Sequence, residues 1–442
     1  MIAGNQTIAA GADPIDSTEL SRRVDRDTVW LLAGYAVTAG SGAVFWILVA
    51  RLIPPAQLGI DTAILSVIMA AAAIASTGIG NGLLVTFSIA GSGRRSLLRT
   101  ATSLVVGCSA VAGIIGGVLV GVLLPVRFEP AVTIPAVTVG TMLWALFALQ
   151  SPALTGLGKA RWTLFVNGPV NLAKLAVLPV LVITAGASSH PAVLATLAPA
   201  AVATIVVSGW LLPRLAERRS TDERALPGTS RIAAPIAEVR KTFLAYVLRD
   251  GPATGLSVAV GLSLAFLVTV FAGPAEGALF ALCYQFSIVL DLVAVGFGTS
   301  LAVHASGTVG SGRAVAFRTW ARIAAIVAVS ATALICASPL LFALLVGFYG
   351  DSGIPVLAML VIACLLRTPY GVWCSLLRAE HRASVVLIAN SIEAALILPL
   401  VIVLAGTEGA QGAAAAVLLV GAALGVAGAI GLWAPRLRKA HP

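Results

Sequence analysis

The stretch FWILVARLIPPAQLGIDTAILSV, Phe45 to Val67, sets two apolar runs on either side of an Arg-Leu-Ile-Pro-Pro turn. Its second part begins PAQLG (Pro55 to Gly59) and is followed by GIGNGLLV (Gly78 to Val85) and RRSLLRT (Arg94 to Thr100). All three return, each about 218 to 219 positions later, as PAEG (Pro274 to Gly277), GFGTSLAV (Gly296 to Val303) and RAVAFRT (Arg313 to Thr319). Three pairs at one offset, close to half the chain, mark a tandem duplication.

Composition puts the duplicated unit in a membrane. Apolar residues make up 59% of the 442, charged residues 10%, and mean hydropathy is +1.01, more apolar surface than one soluble core can hide. Runs of about 20 apolar residues, the length a helix needs to cross hydrocarbon, fall near 29–50, 59–88, 101–124, 132–154, 163–184, 192–213, 252–271, 276–303, 320–348, 354–376, 384–405 and 410–433. They predict an all-α integral membrane protein with twelve transmembrane helices, six per half. Helices close their own backbone hydrogen bonds in lipid, and no alternating β-barrel pattern competes. With an even number of spans in each half, the copies enter the membrane with the same polarity, so the two six-helix bundles are related by a pseudo-two-fold along the membrane normal.

Basic residues set the orientation. With the N-terminus inside, one side collects Arg22, Arg23 and Arg26; Arg94, Arg95 and Arg99; Lys159 and Arg161; a run from Arg214 to Lys241; Arg313, Arg318 and Arg322; Arg378 and Arg382; and Arg436, Arg438 and Lys439. The other side holds Arg51 and Arg127. Both termini are therefore expected in the cytoplasm. The pI near 10 is explained by this topology and by anionic lipid headgroups, not by nucleic acid. The expected division is a cytoplasmic tail (1–27), a first bundle (28–213), a cytoplasmic linker (214–242), a second bundle (243–434) and a short cytoplasmic tail (435–442). The opening residues lack the cationic start and cleavage site of a secretory signal peptide. Cys108, Cys283, Cys336, Cys364 and Cys374 lie in apolar spans without ligand spacing and are expected as buried apolar groups, so neither a metal nor a cofactor is anticipated.

The quoted stretch from Phe45 to Val67, with its proline turn and the Gly that starts the second span, resembles the polysaccharide and O-antigen flippases of the multidrug/oligosaccharidyl-lipid/polysaccharide (MOP) exporter superfamily. The likeness extends over the chain through span count, six-plus-six repeat and inside termini. It implies a MATE-like fold in the bacterial cytoplasmic membrane and transfer of a polyprenyl-diphosphate-linked oligosaccharide from the inner to the outer leaflet. It implies membrane lipids and the glycosyltransferases or polymerase of a polysaccharide pathway as partners. A proton- or sodium-coupled multidrug antiporter of the same fold is the alternative.

A diphosphate and a sugar need a wet, cationic path, so ionisable groups at membrane depth are the candidate site. Lys174 shares a helical face with Asn167 and Asn171. Glu393 and Asn390 hold comparable places in the other half. Either Lys174 meets phosphate while Glu393 meets a proton, a sugar hydroxyl or Lys174, or the two form an ion pair that ties the halves. Arg367, before Thr368 and Pro369, matches Gln150, Ser151 and Pro152, where a proline frees carbonyls for Ser or Thr to satisfy; it binds substrate or snorkels to the interface. Arg249, next to Asp250, is either a phosphate fork at the cytoplasmic mouth or half of an interfacial salt bridge. Arg51 stands at the outer end of the first span. Asp291, Glu393 and Asp61 are the ion-coupling candidates, with Asp61 alternatively a cap or a partner of Arg51. No GxxxxGK[ST] loop indicates ATP-driven transport, the outside loops are too short to house an active site, and His190 reads as a lone solvated histidine. Catalysis is not expected.

Overall fold

The computed structural model describes residues 40–87, 89–124, 129–217, 235–305, 312–345, 349–380 and 382–433, the side chains of 92, 188, 291–305, 312–319, 351 and 379 excepted. Within these bounds run α1 (Gly40–Leu52), α2 (Pro55–Thr86), α3 (Arg94–Leu123), α4 (Pro130–Gly156), α5 (Arg161–Ala185) and α6 (Pro191–Glu217). The second half holds α7 (Ile236–Ala272), α8 (Pro274–Ala305), α9 (Gly312–Leu345), α10 (Gly350–Ala379) and α11 (Ala383–Trp433). Pro55, Pro130, Pro191 and Pro274 each open a helix, where a missing N–H costs nothing. The 51 residues of α11 break at Gly409, whose φ of 63° is open to glycine at little cost, so the element is two helical arms. The chain is an all-helical membrane protein in which nine described helices are long and apolar enough to cross a bilayer. With the shorter apolar helices of α1 and α8 and the two arms of α11, the described helices are consistent with the twelve windows in the sequence.

The repeat is carried into structure. Pro55 opens α2 as Pro274 opens α8, and the paired Arg-containing segments open α3 and α9. Because successive helices alternate in direction, Arg94, Arg161, Arg214, Arg240 and Arg378 fall at one end of the molecule, the Arg-rich end. There Arg94 Nε donates to the Phe87 carbonyl at 3.0 Å, and Arg95 pairs with Glu217 across α3 and α6.

The halves meet where α2 runs along α7. A Cβ on Gly78 would stand 2.2 Å from Gly251 Cα, so the two backbones touch and no side chain fits between them. At the opposite end of α2, the Thr269 hydroxyl of α7 donates to the Gly59 carbonyl at 3.3 Å. The crossing therefore extends over most of the membrane depth.

Several expectations shift. The first window, 29–50, is seen as helix from Gly40 onward, and its beginning lies outside the described residues. Helix reaches into both ends of the expected linker, since α6 continues to Glu217 through a π turn at Val207–Leu211 and α7 starts at Ile236. The middle of that linker and both tails lie outside the described residues. Cys283 and Cys374 are buried as anticipated, but Cys108 and Cys336 are exposed on the outer faces of α3 and α9. An apolar thiol costs little there, because lipid is as apolar as a core.

Candidate functional site

The polar stripe of α5 turns toward α1. Asn171 is buried, Asn167 and Lys174 are half-buried, and the Lys174 ammonium lies over the Phe45 ring, 4.9 Å from its centroid. The attraction is that of a cation for the negative ring face. Among the described residues no carboxylate pairs with Lys174, and neither asparagine makes a side-chain hydrogen bond.

Glu393 does not meet Lys174. It is buried on α11 and forms an ion pair with Arg367 of α10, within one half, so the expected tie between the halves is replaced by a tie inside the second. The guanidinium also lies 6.0 Å from the Tyr370 ring centroid. Arg367 is thus paired rather than snorkelling. Pro369 leaves the Leu365 carbonyl without its helical donor, and the Thr368 hydroxyl supplies one at 2.9 Å, the role anticipated for a Ser or Thr beside an intramembrane proline.

The Arg367–Glu393 pair lines a small cavity of about 30 Å³ among α7, α8, α10 and α11, with Tyr284, Ser287 and Cys364 on its wall. Asn390, three residues before Glu393, is buried: its Nδ2 donates to the Ala253 carbonyl at 2.8 Å and its Oδ1 accepts from the Tyr370 hydroxyl at 2.9 Å. Its amide braces α11 against α7 and α10. Arg367 and Tyr370 share one face of α10 at i and i+3, a spacing visible in the sequence but not singled out from it.

At the Arg-rich end of α7, Arg249 is exposed while Asp250 turns inward. Asp250 accepts from the Tyr246 hydroxyl at 3.2 Å and the Thr254 hydroxyl at 3.4 Å. Adjacent helical positions point about 100° apart, which leaves the guanidinium on the surface.

Asp61 and Arg51 are not partners. Arg51 Nε donates to the Leu344 carbonyl at 2.6 Å, joining the end of α1 to the end of α9. Asp61 is fully buried; its Oδ2 accepts the Ala192 N–H at 3.0 Å, its Oδ1 accepts from Gln57 Nε2 at 3.0 Å, and His190 Nδ1 lies 2.8 Å from the same oxygen. It caps α6 from α2, satisfying one of the unpaired N–H groups at that helix start. His190, in a left-handed conformation with φ 55°, is half of this contact and not a lone solvated side chain. The second half repeats the device: Glu276, in the first turn of α8, accepts the Ala410 N–H at 2.8 Å just after the Gly409 break. Sequence reasoning missed Gln57, His190 and Glu276, although Gln57 and Glu276 stand at the same place in the repeated PAQLG and PAEG segments. Asp291 lies on α8 with its side chain outside those described. Among the described residues no three His, Cys, Asp or Glu groups stand together as a metal site would require.

No protein-family model and no curated protein matches the chain. Solved structures do match over nearly its whole length. A MOP superfamily transporter from Pyrococcus furiosus aligns with a TM-score of 0.63 at 16% identity, covering 92% of this chain and 93% of its own. The lipid II flippase MurJ, in an inward closed conformation, aligns with a TM-score of 0.62 at 13% identity, covering 94% of this chain and 87% of its own. The Vibrio cholerae MATE transporter VcmN aligns with a TM-score of 0.56 at 16% identity, covering 94% and 96%. MATE and MOP superfamily transporters and a lipid II flippase share one architecture, and this chain has that fold.

Proposed function

We propose that the protein is a flippase that moves a polyprenyl-diphosphate-linked oligosaccharide from the cytoplasmic to the outer leaflet of a bacterial inner membrane, by rocking residues 28–213 against 243–434. The observation that carries this reading is Lys174: a cation at membrane depth, beside Asn167 and Asn171, with no carboxylate partner among the described residues. A charge so placed is costly unless a ligand or water compensates it. A diphosphate supplies the compensating charge, and the asparagine amides suit sugar hydroxyls or phosphate oxygens. An antiporter of cationic drugs has the opposite need, an unpaired acid; among the described side chains the intramembrane acids Glu393, Asp250 and Asp61 have partners.

The remaining pieces fit the same path. Arg249, exposed at the Arg-rich and so cytoplasmic end, presents a guanidinium to an incoming diphosphate. The tail stays in lipid and passes a lateral gap between the bundles. Asp291 and Glu393 are the candidates for a coupling proton, and Asp61, spent on the α6 cap, serves structure. Neighbouring glycosyltransferases or a polymerase would supply and consume the substrate.

The test is transfer of a fluorescent polyprenyl-diphosphate oligosaccharide across proteoliposome bilayers, beside efflux of a cationic dye from the same vesicles. Lipid transfer without dye efflux supports the flippase; dye efflux driven by a proton or sodium gradient, without lipid transfer, supports the antiporter.

A further inference from the structure

Of the described spans, α5 has the least protein around it: 17% of its most apolar stretch is buried, against 83% for α2. Between α5 and α6 runs an open groove of about 870 Å³, within the roughly 300–1,000 Å³ of sites that hold a whole ligand. On α5 it extends from Trp162 to Val177, which at 1.5 Å per residue is about 22 Å, more than half of a hydrocarbon core about 30 Å thick. Every fourth residue of α6 lines the facing wall: Ala198, Val202, Val206, Trp210 and Arg214. In an unbroken α-helix, residues four apart drift about 40° per step. The π turn at Val207–Leu211 winds more slowly and takes back part of that drift, and Gln150 of α4 braces it by donating to the Ser208 hydroxyl at 3.2 Å.

The groove changes character at its mouth. Its length is apolar, and among the described residues that line it Arg214, at the Arg-rich end, alone carries a charge. The Arg214 guanidinium lies over the Trp210 ring, 4.3 Å from its centroid, and both side chains are exposed. Among the described residues no carboxylate pairs with Arg214; Glu217, three positions on, is paired with Arg95. A guanidinium lying over an indole keeps its N–H groups at its edge, where they can grip two oxygens of a phosphate. Indoles are favoured at the headgroup level of a bilayer, where one end of the ring is wet and the other apolar. A cation above a hydrocarbon-lined furrow thus matches an amphiphile with an anionic head and a long chain.

We infer that the α5–α6 groove binds an anionic phospholipid of the leaflet at the Arg-rich end, with its phosphate on Arg214 and a hydrocarbon chain laid between the two helices. A lipid carried past Lys174 is not the occupant. Pro169 and Ala173, which line the groove, stand about 160° around α5 from Asn171, at the centre of the Lys174 stripe. A headgroup on Lys174 and a chain in the groove would lie on opposite sides of one helix. A second protein helix fits poorly as well, since close helix contact calls for small residues and the groove presents Trp162, Phe165 and Trp210. The bound lipid takes the place of protein packing on α5, and the inference stands whether or not the protein is a flippase.

The experiment is native mass spectrometry of the full chain in detergent, titrated with phosphatidylglycerol and, separately, with phosphatidylcholine of the same chains, whose choline offsets its phosphate. Native protein is compared with Arg214→Ala, Arg214→Lys and Val202→Trp; Arg214 and Val202 are both exposed, so the fold does not rest on either side chain. Native protein should hold its first phosphatidylglycerol about tenfold more tightly than its first phosphatidylcholine, the worth of one charge-assisted hydrogen bond. Arg214→Ala should lose that preference and Arg214→Lys keep part of it. Val202→Trp, which fills the groove without touching its charge, should lose most of its binding of both lipids. Equal affinity of native protein for the two lipids, an unchanged preference in Arg214→Ala, or undiminished binding by Val202→Trp would each overturn the site. So would displacement of phosphatidylglycerol by an equal concentration of farnesyl diphosphate, which would give the groove to a polyprenyl chain, or a dimer of native protein that Val202→Trp dissociates, which would give it to a second copy.

Discussion

Lys174 and Glu393 occupy corresponding places in the two halves and carry opposite charge, yet each is held by its own half: Lys174 by the Phe45 ring, Glu393 by Arg367. Among the described residues the duplication thus leaves Lys174 against a ring with no carboxylate, and Glu393 in an ion pair. Gln150, the counterpart of Arg367, shows the same divergence, donating to the Ser208 hydroxyl at 3.2 Å where Arg367 holds a carboxylate.

Removing only the cation of the pair should be costly to stability. Arg367→Ala strands a buried carboxylate and is expected to destabilise the protein by on the order of 3 kcal/mol. Arg367→Ala combined with Glu393→Gln should recover most of that loss, because no charge is left buried. Thermal unfolding in detergent micelles at neutral pH reads both; a double variant no more stable than Arg367→Ala would show that the pair is not the source of the effect.

The duplicated caps make a second prediction. Asp61→Ala removes the acceptor for the Ala192 N–H and the contact with His190, and Glu276→Ala does the same at Ala410. Each should cost about 1–2 kcal/mol, the range of a lost helix cap, seen as faster proteolysis at the α5–α6 connection and at the Gly409 break respectively. Equal proteolysis in variant and native protein would remove the caps from the account.

The crossing of α2 and α7 tolerates no side chain at Gly78. Gly78→Val should push the helices apart and destabilise the protein by about 1–3 kcal/mol, as overpacking does elsewhere. Gly107, with open space around its Cβ direction, is the control, and Gly107→Val should leave the unfolding temperature nearly unchanged. Similar losses at both positions would argue against backbone contact at the crossing.

Arg249, exposed at the cytoplasmic mouth in this reading, should act on capture more than on passage. Arg249→Ala is expected to slow transfer about threefold to tenfold at low ionic strength and much less in high salt, where screening removes steering. A loss independent of salt would place Arg249 in the path itself.

The helices are legible in the sequence because each is an apolar run bounded by Pro, Gly or Arg, and the repeated segments mark the two halves by themselves. Even the division of α11 is readable, from the polar residues around Gly409. The pairing of charges is not. Repeat symmetry makes Lys174 and Glu393 look like partners, but corresponding positions lie in different halves, whereas Arg367, 26 residues from Glu393, is on the next helix of the same bundle. The Asp61 cap is hidden for a related reason. Its recipient, Ala192, is 131 residues away and offers only a backbone N–H, which leaves no mark in side-chain pattern.

The most direct measurement is the rate of lipid-linked oligosaccharide transfer in proteoliposomes by native protein, Lys174→Ala and Lys174→Arg. If Lys174 meets the diphosphate, Lys174→Ala should slow transfer by about 10- to 100-fold, the worth of one charge-assisted hydrogen bond at about 1.5–3 kcal/mol, and Lys174→Arg should keep most of the rate. Native rates in Lys174→Ala, with the protein folded and inserted, would contradict the account at its centre.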